Sequence, residues 1–217
     1  MTENIHQGKP IINFGADIED AELVVILLHG RGATAESILP IARELQMDGV
    51  NFQVPQAALN RWYPNTAFDP LEANEPDLSS ALGIVDTLVN EAREKGFTDQ
   101  QIAFGGFSQG ACLASEYVAR NAKRYAGLFV FSGALIGPPG IPRNDPGSFE
   151  EMPVFIGGSD VDPWVAYELL KDAASLFEKM GADVNFRTYP GMGHTVNQDE
   201  IEAVKIMLDT AKQMSIA

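Results

Sequence analysis

Gln101-Ile102-Ala103-Phe104-Gly105-Gly106-Phe107-Ser108-Gln109-Gly110-Ala111 reads as a short apolar strand, a tight turn carrying one serine, and the opening of a helix. Gly106 and Gly110 stand two residues before and two after Ser108, in the pattern G-x-S-x-G. In such a turn strand and helix come so close that a Cβ at either glycine would clash. A serine hydroxyl is a poor nucleophile at its ordinary pKa. The turn serves chemistry only if it holds the hydroxyl exposed, next to a base and beside a helix N-terminus where an oxyanion can be stabilised. The β-prone run before Ser108 and the helical spacing of Ala111, Ala114, Tyr117 and Val118 after it supply the strand-turn-helix context that the pattern requires.

Outward from this turn, strand and helix patterns alternate. Strands are expected near 9–14, 23–28, 50–54, 102–106, 126–132, 153–157 and 183–189. Helical stripes run through Leu78, Ala81, Leu82, Val85, Leu88 and Val89, through Leu169, Leu170, Ala173, Leu176, Phe177 and Met180, and through Ile201, Val204, Leu208 and Ala211. The alternation predicts an α/β fold with a mostly parallel central sheet and helices on both faces. The 217 residues fit one domain, 1–217, which at this size buries roughly 70% of the surface of its unfolded chain. In such a fold functional residues gather in the loops at the carboxyl ends of the strands.

Leu27-Leu28-His29-Gly30-Arg31-Gly32-Ala33 follows the most hydrophobic strand, and its glycines let the backbone turn N–H groups towards a site near the serine. The oxyanion donors expected are the main-chain N–H groups of Arg31 and Gln109. His29, hard against the strand end, reads as a structural hydrogen-bonding residue. The Arg31 side chain has two available roles: tying down its own loop, the commoner outcome for a guanidinium, or binding an acidic substrate group. Arg61-Trp62-Tyr63-Pro64 opens an aromatic loop from which Trp62 is taken as a pocket wall. The Pro- and Gly-rich stretch at 134–151 is a loop excursion, either over the substrate entrance or as a stiff surface connection. Phe107, Leu135, Ile136, Trp164 and Met192 complete the expected walls, from loop position and apolar character.

After the strand at 153–157, Gly157-Gly158-Ser159-Asp160-Val161-Asp162-Pro163-Trp164 offers two acids, Asp160 and Asp162, for orienting a base histidine. Asp162 before Pro163 also has the form of a helix N-cap. Composition does not separate the two acids. Of the three histidines, His6 lies in a polar N-terminal stretch and His29 precedes the serine, leaving His194, between Gly193 and Thr195, as the base. The chain order Ser, Asp, His is that of α/β-hydrolases.

The net charge of −15, with no local Lys/Arg cluster, excludes phosphate-backbone binding and an anionic membrane surface. Cys112 is the single cysteine and reads as a small buried apolar residue. With no apolar core in residues 1–20 and no aliphatic run longer than Leu23–Leu28, neither a signal peptide nor membrane insertion is expected, and the cytoplasm is the expected location. Monomer and homodimer both remain open. No cofactor and no metal are expected, since His, Cys and acidic residues do not fall at zinc-ligand spacing.

Leu28-His29-Gly30-Arg31-Gly32-Ala33, Arg61-Trp62-Tyr63-Pro64, Gly106-Phe107-Ser108-Gln109-Gly110-Ala111, Asp162-Pro163-Trp164-Val165 and Gly193-His194 together resemble, in order, the blocks of the phospholipase/carboxylesterase family of α/β-hydrolases. The resemblance spans Leu23 to the C-terminal helix. It implies Ser108 as nucleophile, His194 as base, Asp162 rather than Asp160 as acid, and the Arg31 and Gln109 N–H groups as oxyanion hole. Eukaryotic acyl-protein thioesterases typically read His-Gly-Leu-Gly-Asp and Asp-Pro-x-Val-Pro, where this chain has Arg31, Ala33 and Ala166 at the differing places, so the likeness is to the bacterial carboxylesterase branch. The activity implied is hydrolysis of small or medium carboxylic esters through an acyl-enzyme. A thioesterase or lysophospholipase, a cofactor-free peroxidase or carbon–carbon hydrolase, and a non-catalytic small-molecule receptor are the alternatives.

Overall fold

Leu23–Leu28, six consecutive aliphatic residues without alternation, can only be satisfied by burial on both faces, which is the position of a central parallel strand. The computed structural model, which describes residues 4–216, places it there. The strands are β1 (Ile11–Gly15), β2 (Leu23–Leu28), β3 (Val50–Pro55), β4 (Ile102–Phe107), β5 (Gly127–Phe131), β6 (Pro153–Gly158) and β7 (Asp183–Thr188). They form one seven-stranded sheet in the order β1-β3-β2-β4-β5-β6-β7. Only β1 runs antiparallel, against β3 with Phe14 opposite Phe52; every other pair is parallel.

Alternate residues of each strand face opposite layers. Val24, Ile26 and Leu28 pack with the inner faces of α2 (Asp77–Glu94), α3 (Gln109–Arg120) and α4 (Tyr167–Lys179). Leu23, Val25 and Leu27 pack with α1 (Ala35–Leu45) and α5 (Gln198–Ile216). The stripes read from sequence are these faces: Leu78, Ala81, Val85, Leu88 and Val89 are buried on α2, as are Ile201, Val204 and Leu208 on α5. Helix α1 begins where Thr34 and Ser37 satisfy each other's backbone N–H groups in a capping box.

The chain leaves β2 to one side for β3 and returns to the other side for β4. The carboxyl ends of β2 and β4 therefore flank the point where strand order reverses, the usual position of a ligand crevice in an open α/β sheet. Helix α3 runs from that crevice into the core, and every residue from Gln109 to Ala119 on it is buried. One of them is a carboxylate, Glu116. A buried charge must be paired and hydrogen-bonded to be tolerated. Arg143 Nη1 (2.8 Å) and Arg120 Nε (2.6 Å) bind its two oxygens, and the Ile136 N–H adds a third bond at 3.1 Å. Arg143 is itself held by Asp145. The Pro/Gly-rich loop is thus strapped to the core through one buried acid.

Candidate active site

Gly106 and Gly110 do what their spacing requires. A Cβ on Gly106 would stand 2.6 Å from the Gly110 carbonyl carbon, and one on Gly110 would stand 2.1 Å from the Leu28 oxygen. Between them Ser108 takes φ 56° and ψ −121°, a conformation costly for any L side chain and typical of a functional turn. Main-chain bonds from Ser108 N–H to Phe131 O (2.9 Å) and from Cys112 N–H to Ser108 O (3.0 Å) hold it there. A Cβ on Gly30 would lie 3.4 Å from the Ser108 Cβ, so the loop after β2 stands directly beside the serine.

Arg31 and Gln109, whose N–H groups are the expected donors, lie in that loop and in the first turn of α3. Gln109 is the first residue of α3, and helix geometry leaves its N–H without an intrahelical acceptor. The Gln109 side chain instead pins the aromatic loop, accepting from Trp62 N–H and donating to Tyr63 O, both at 2.9 Å. His29 is fully buried, its Nδ1 on Gly30 O (2.8 Å) and its Nε2 accepting from Ala57 N–H (3.1 Å). These partners fix the Nδ1–H tautomer, and burial lowers the pKa, against the opposing hydrogen bond to Gly30. His6, expected in a polar terminus, is also buried and bridges Ala58 N–H and Trp62 O.

The loop after β6 separates the two acids. Asp162 Oδ2 lies 2.6 Å from His194 Nδ1, while its Oδ1 accepts the N–H groups of Trp164 (2.8 Å) and Val165 (3.1 Å). Its side chain is 1% exposed. Asp160 instead accepts the Gly191 N–H at 2.8 Å, tethering the loop that carries the histidine. The N-cap reading of Asp162 is corrected: α4 begins only at Tyr167, after Ala166, because the two N–H groups Asp162 captures close a local turn rather than a helix. The His194 ring leans on Phe107, centroids 4.7 Å apart.

Ser108 and His194 open onto one cavity of about 420 Å³, lined also by Gly30, Arg31, Ala33, Tyr63, Thr66, Ala67, Phe68, Phe107, Gln109, Cys112, Trp164 and Val165. Of the walls expected from sequence, Phe107 and Trp164 are there, Trp164 on the rim at 73% exposure. Trp62, Leu135, Ile136 and Met192 do not line it. Trp62 is fully buried behind the cavity, its indole N–H on His29 O (2.8 Å), so it supports the loop from within. Leu135 and Ile136 turn into the core beside α3, drawn by the Ile136 bond to Glu116. Met192 is turned towards Asn197, whose side-chain amide reaches its sulfur (3.1 Å). No residue of 134–151 lines the cavity; the loop reaches its wall from behind, through Gly137 N–H on Ala67 O (2.8 Å) and Ala134 N–H on Cys112 Sγ (3.3 Å). Sequence reasoning missed Tyr63, Thr66, Ala67, Phe68, Val165 and the wall position of Cys112. Cys112 had a signal: four residues after Ser108 on α3, it shares the serine's face. Burial pushes its thiol up to about 11, as suits an inert wall residue. Among the described residues no group of three or more His, Cys, Asp or Glu side chains is placed to hold a metal ion, and no helix is long and apolar enough to cross a membrane.

Behind the histidine loop, Glu200 and Asn197 form a reciprocal cap at the start of α5, Asn197 N–H on Glu200 Oε2 (2.9 Å) and Glu200 N–H on Asn197 Oδ1 (3.1 Å). The Glu200 side chain fills the space that Gly157 leaves without a Cβ, and its Oε1 has no partner among the described residues. Burial pushes this carboxyl up to about 7, against the Asn197 N–H, with Asp199 adding to the rise. The folded state thus binds a proton that the unfolded chain releases near 4.5. The stabilisation is full below that pH and is lost as pH rises through about 7, a change of ~3 kcal/mol at 1.36 kcal/mol per pKa unit. Glu200→Gln, which keeps the cap, is expected to flatten the fall in stability between pH 5 and 8; urea unfolding at several pH values checks it, and parallel curves for the two proteins would contradict it.

A mostly parallel sheet with a strained serine turn at the carboxyl end of β4 defines the α/β-hydrolase architecture. The Phospholipase/Carboxylesterase family profile matches residues 12–212, and the chain belongs to that family. It is 40% identical to the crystal structure of a phospholipase/carboxylesterase from Dyadobacter fermentans, with a TM-score of 0.88 over 93% of this chain and 96% of that one. It is 29% identical to acyl-protein thioesterase 1 of Neurospora crassa, over 85% of this chain and 84% of the relative. Against acyl-protein thioesterase 1 of Saccharomyces cerevisiae it is 27% identical, over 88% and 93%.

Proposed function

We propose that the protein is a cytoplasmic serine hydrolase that cleaves carboxylic esters of small or medium acyl chains through Ser108, His194 and Asp162. The observation that carries this reading is the 2.6 Å contact between a buried Asp162 and His194 Nδ1, on the wall of the cavity that also holds the strained Ser108. A carboxylate on Nδ1 fixes that nitrogen as the N–H and leaves Nε2 as the basic lone pair. Ser108 Oγ bonds to the ester carbonyl carbon as its proton passes to Nε2. The oxyanion that forms accepts from the Arg31 and Gln109 N–H groups. Collapse breaks the ester C–O bond, and the departing alkoxide takes the proton from Nε2. Water then attacks the acyl-enzyme with the same proton transfers, releasing the acid and restoring Ser108.

The cavity volume lies at the low end of the ~300–1,000 Å³ range of small-molecule sites, which favours short and medium acyl groups. The acyl-protein thioesterase relatives favour a second reading, in which the same acyl-enzyme forms from a thioester. Hydrolysis of matched oxygen-ester and thioester series from acetyl to palmitoyl tests both. A maximum at butyrate to octanoate with oxygen esters preferred supports the carboxylesterase; a maximum at palmitoyl thioester transfers the assignment to the thioesterase.

A further inference from the structure

The chain carries 30 Asp and Glu residues against 15 Lys and Arg, yet no Asp or Glu lines the cavity. The one lining residue with a permanent charge is Arg31. None of the ion pairs among the described residues involves Arg31. It is held in place rather than neutralised. Nη1 donates to Pro64 O (2.8 Å), Nη2 donates to Asn65 O, and the group lies over the Tyr63 ring at 5.9 Å. Both carbonyl partners are main-chain and neutral, and among the described residues they are the only hydrogen-bond acceptors of the guanidinium's five N–H groups. Burial lowers the Arg31 pKa, with Tyr63 opposing and the nearby Arg61 cation adding. A cation held by neutral carbonyls, with spare donors and no ion-pair partner among the described residues, beside the cavity of a strongly acidic protein, is free to receive a charge from outside.

We infer that the Arg31 side chain is the anion-binding group of this cavity, so that the ester taken from solution carries a negatively charged oxygen group, a carboxylate or a phosphate, in addition to its scissile bond. The inference rests on the esterase reading and names its substrate class. Arg31 thus contributes twice: its backbone N–H faces the oxyanion, and its guanidinium discriminates among substrates. The geometry suits a small anionic ester, because the anion must sit in the same cavity as the carbonyl that Ser108 attacks.

The test compares kcat/KM for two pairs differing mainly in charge, monoethyl glutarate against ethyl pentanoate and butyryl glycerol 3-phosphate against monobutyrin, in wild type, Arg31→Gln and Arg31→Lys. At the usual strength of a charge-assisted hydrogen bond the wild type favours one anionic ester over its neutral partner by about tenfold to a hundredfold. Arg31→Gln brings that ratio close to one, and Arg31→Lys keeps part of it. The pair showing the effect identifies carboxylate or phosphate as the source. Loosening of the 61–66 loop would slow both members of a pair alike and leave the ratio unmoved. A wild-type ratio near one for both pairs, with the neutral esters turned over through Ser108, overturns the inference and leaves the esterase standing. If no ester is turned over, calorimetric titration with glutarate and with glycerol 3-phosphate decides: binding abolished by Arg31→Gln upholds the anion site while the esterase reading fails, and absence of binding by both overturns it.

Discussion

Ser108→Ala is expected to lower kcat on every ester by about 10⁵–10⁶-fold while leaving the fold unchanged. The size follows from how the parts act together. Without Oγ the histidine has no proton to accept, the acyl-enzyme cannot form, and only binding and the oxyanion donors remain, which supply about 10³–10⁴-fold over the reaction in water. The stability expectation has a separate basis. The turn is held by main-chain bonds from Ser108 N–H to Phe131 O and from Cys112 N–H to Ser108 O, which alanine retains. Alanine also has the same Cβ at the same positive φ, so backbone strain is not altered in kind. Stopped assays on purified protein give the rate, and a thermal melt gives the fold. Hydrolysis within tenfold of wild type in a folded variant would remove Ser108 from the mechanism.

How much of this was legible in the sequence depended on what kind of physics placed each residue. Helix faces were legible because burial imposes a period, so that Leu78, Ala81, Val85, Leu88 and Val89 had to face the sheet, and Leu23–Leu28 was legible as a strand because it is an unbroken apolar run. The serine turn was legible because two glycines are forced there by contacts of 2.1 and 2.6 Å that no Cβ survives. The cavity walls were not. In a loop adjacent residues point in unrelated directions, so nothing in Arg61-Trp62-Tyr63-Pro64 says that the tryptophan turns inward to His29 while the tyrosine faces the substrate space. Leu135 and Ile136 were apolar and in the right loop, but a buried carboxylate two turns into α3 drew that segment away. Long-range polar bonds of this kind, Glu116 with Arg143 or Gln109 with the Trp62 N–H, join residues whose spacing in the chain carries no signal.

The two acids of the β6 loop are distinguished by the same kind of bond, and their substitution is expected to give very different losses. In Asp162→Asn the amide oxygen can still receive Trp164 and Val165 N–H, so the turn survives. The other end of the side chain then presents an N–H₂ to His194 Nδ1, and donor faces donor unless the imidazole gives up its Nδ1 proton. The ring relieves the clash by moving its proton to Nε2, the nitrogen that must take the serine proton. A loss of about 10⁴-fold in kcat follows from this wrong tautomer. Asp160→Asn leaves an oxygen to accept the Gly191 N–H, and that bond acts only on the backbone of the histidine loop. Its expected cost is within about tenfold, the scale of a mild displacement of a catalytic group that keeps its own partner. Steady-state kinetics on one ester for both variants checks the contrast, and the tautomer itself is visible in the nitrogen chemical shifts of His194. A larger loss in Asp160→Asn than in Asp162→Asn would place the orienting acid at Asp160, and it would make the Asp162 contact to Nδ1 a feature of the resting loop.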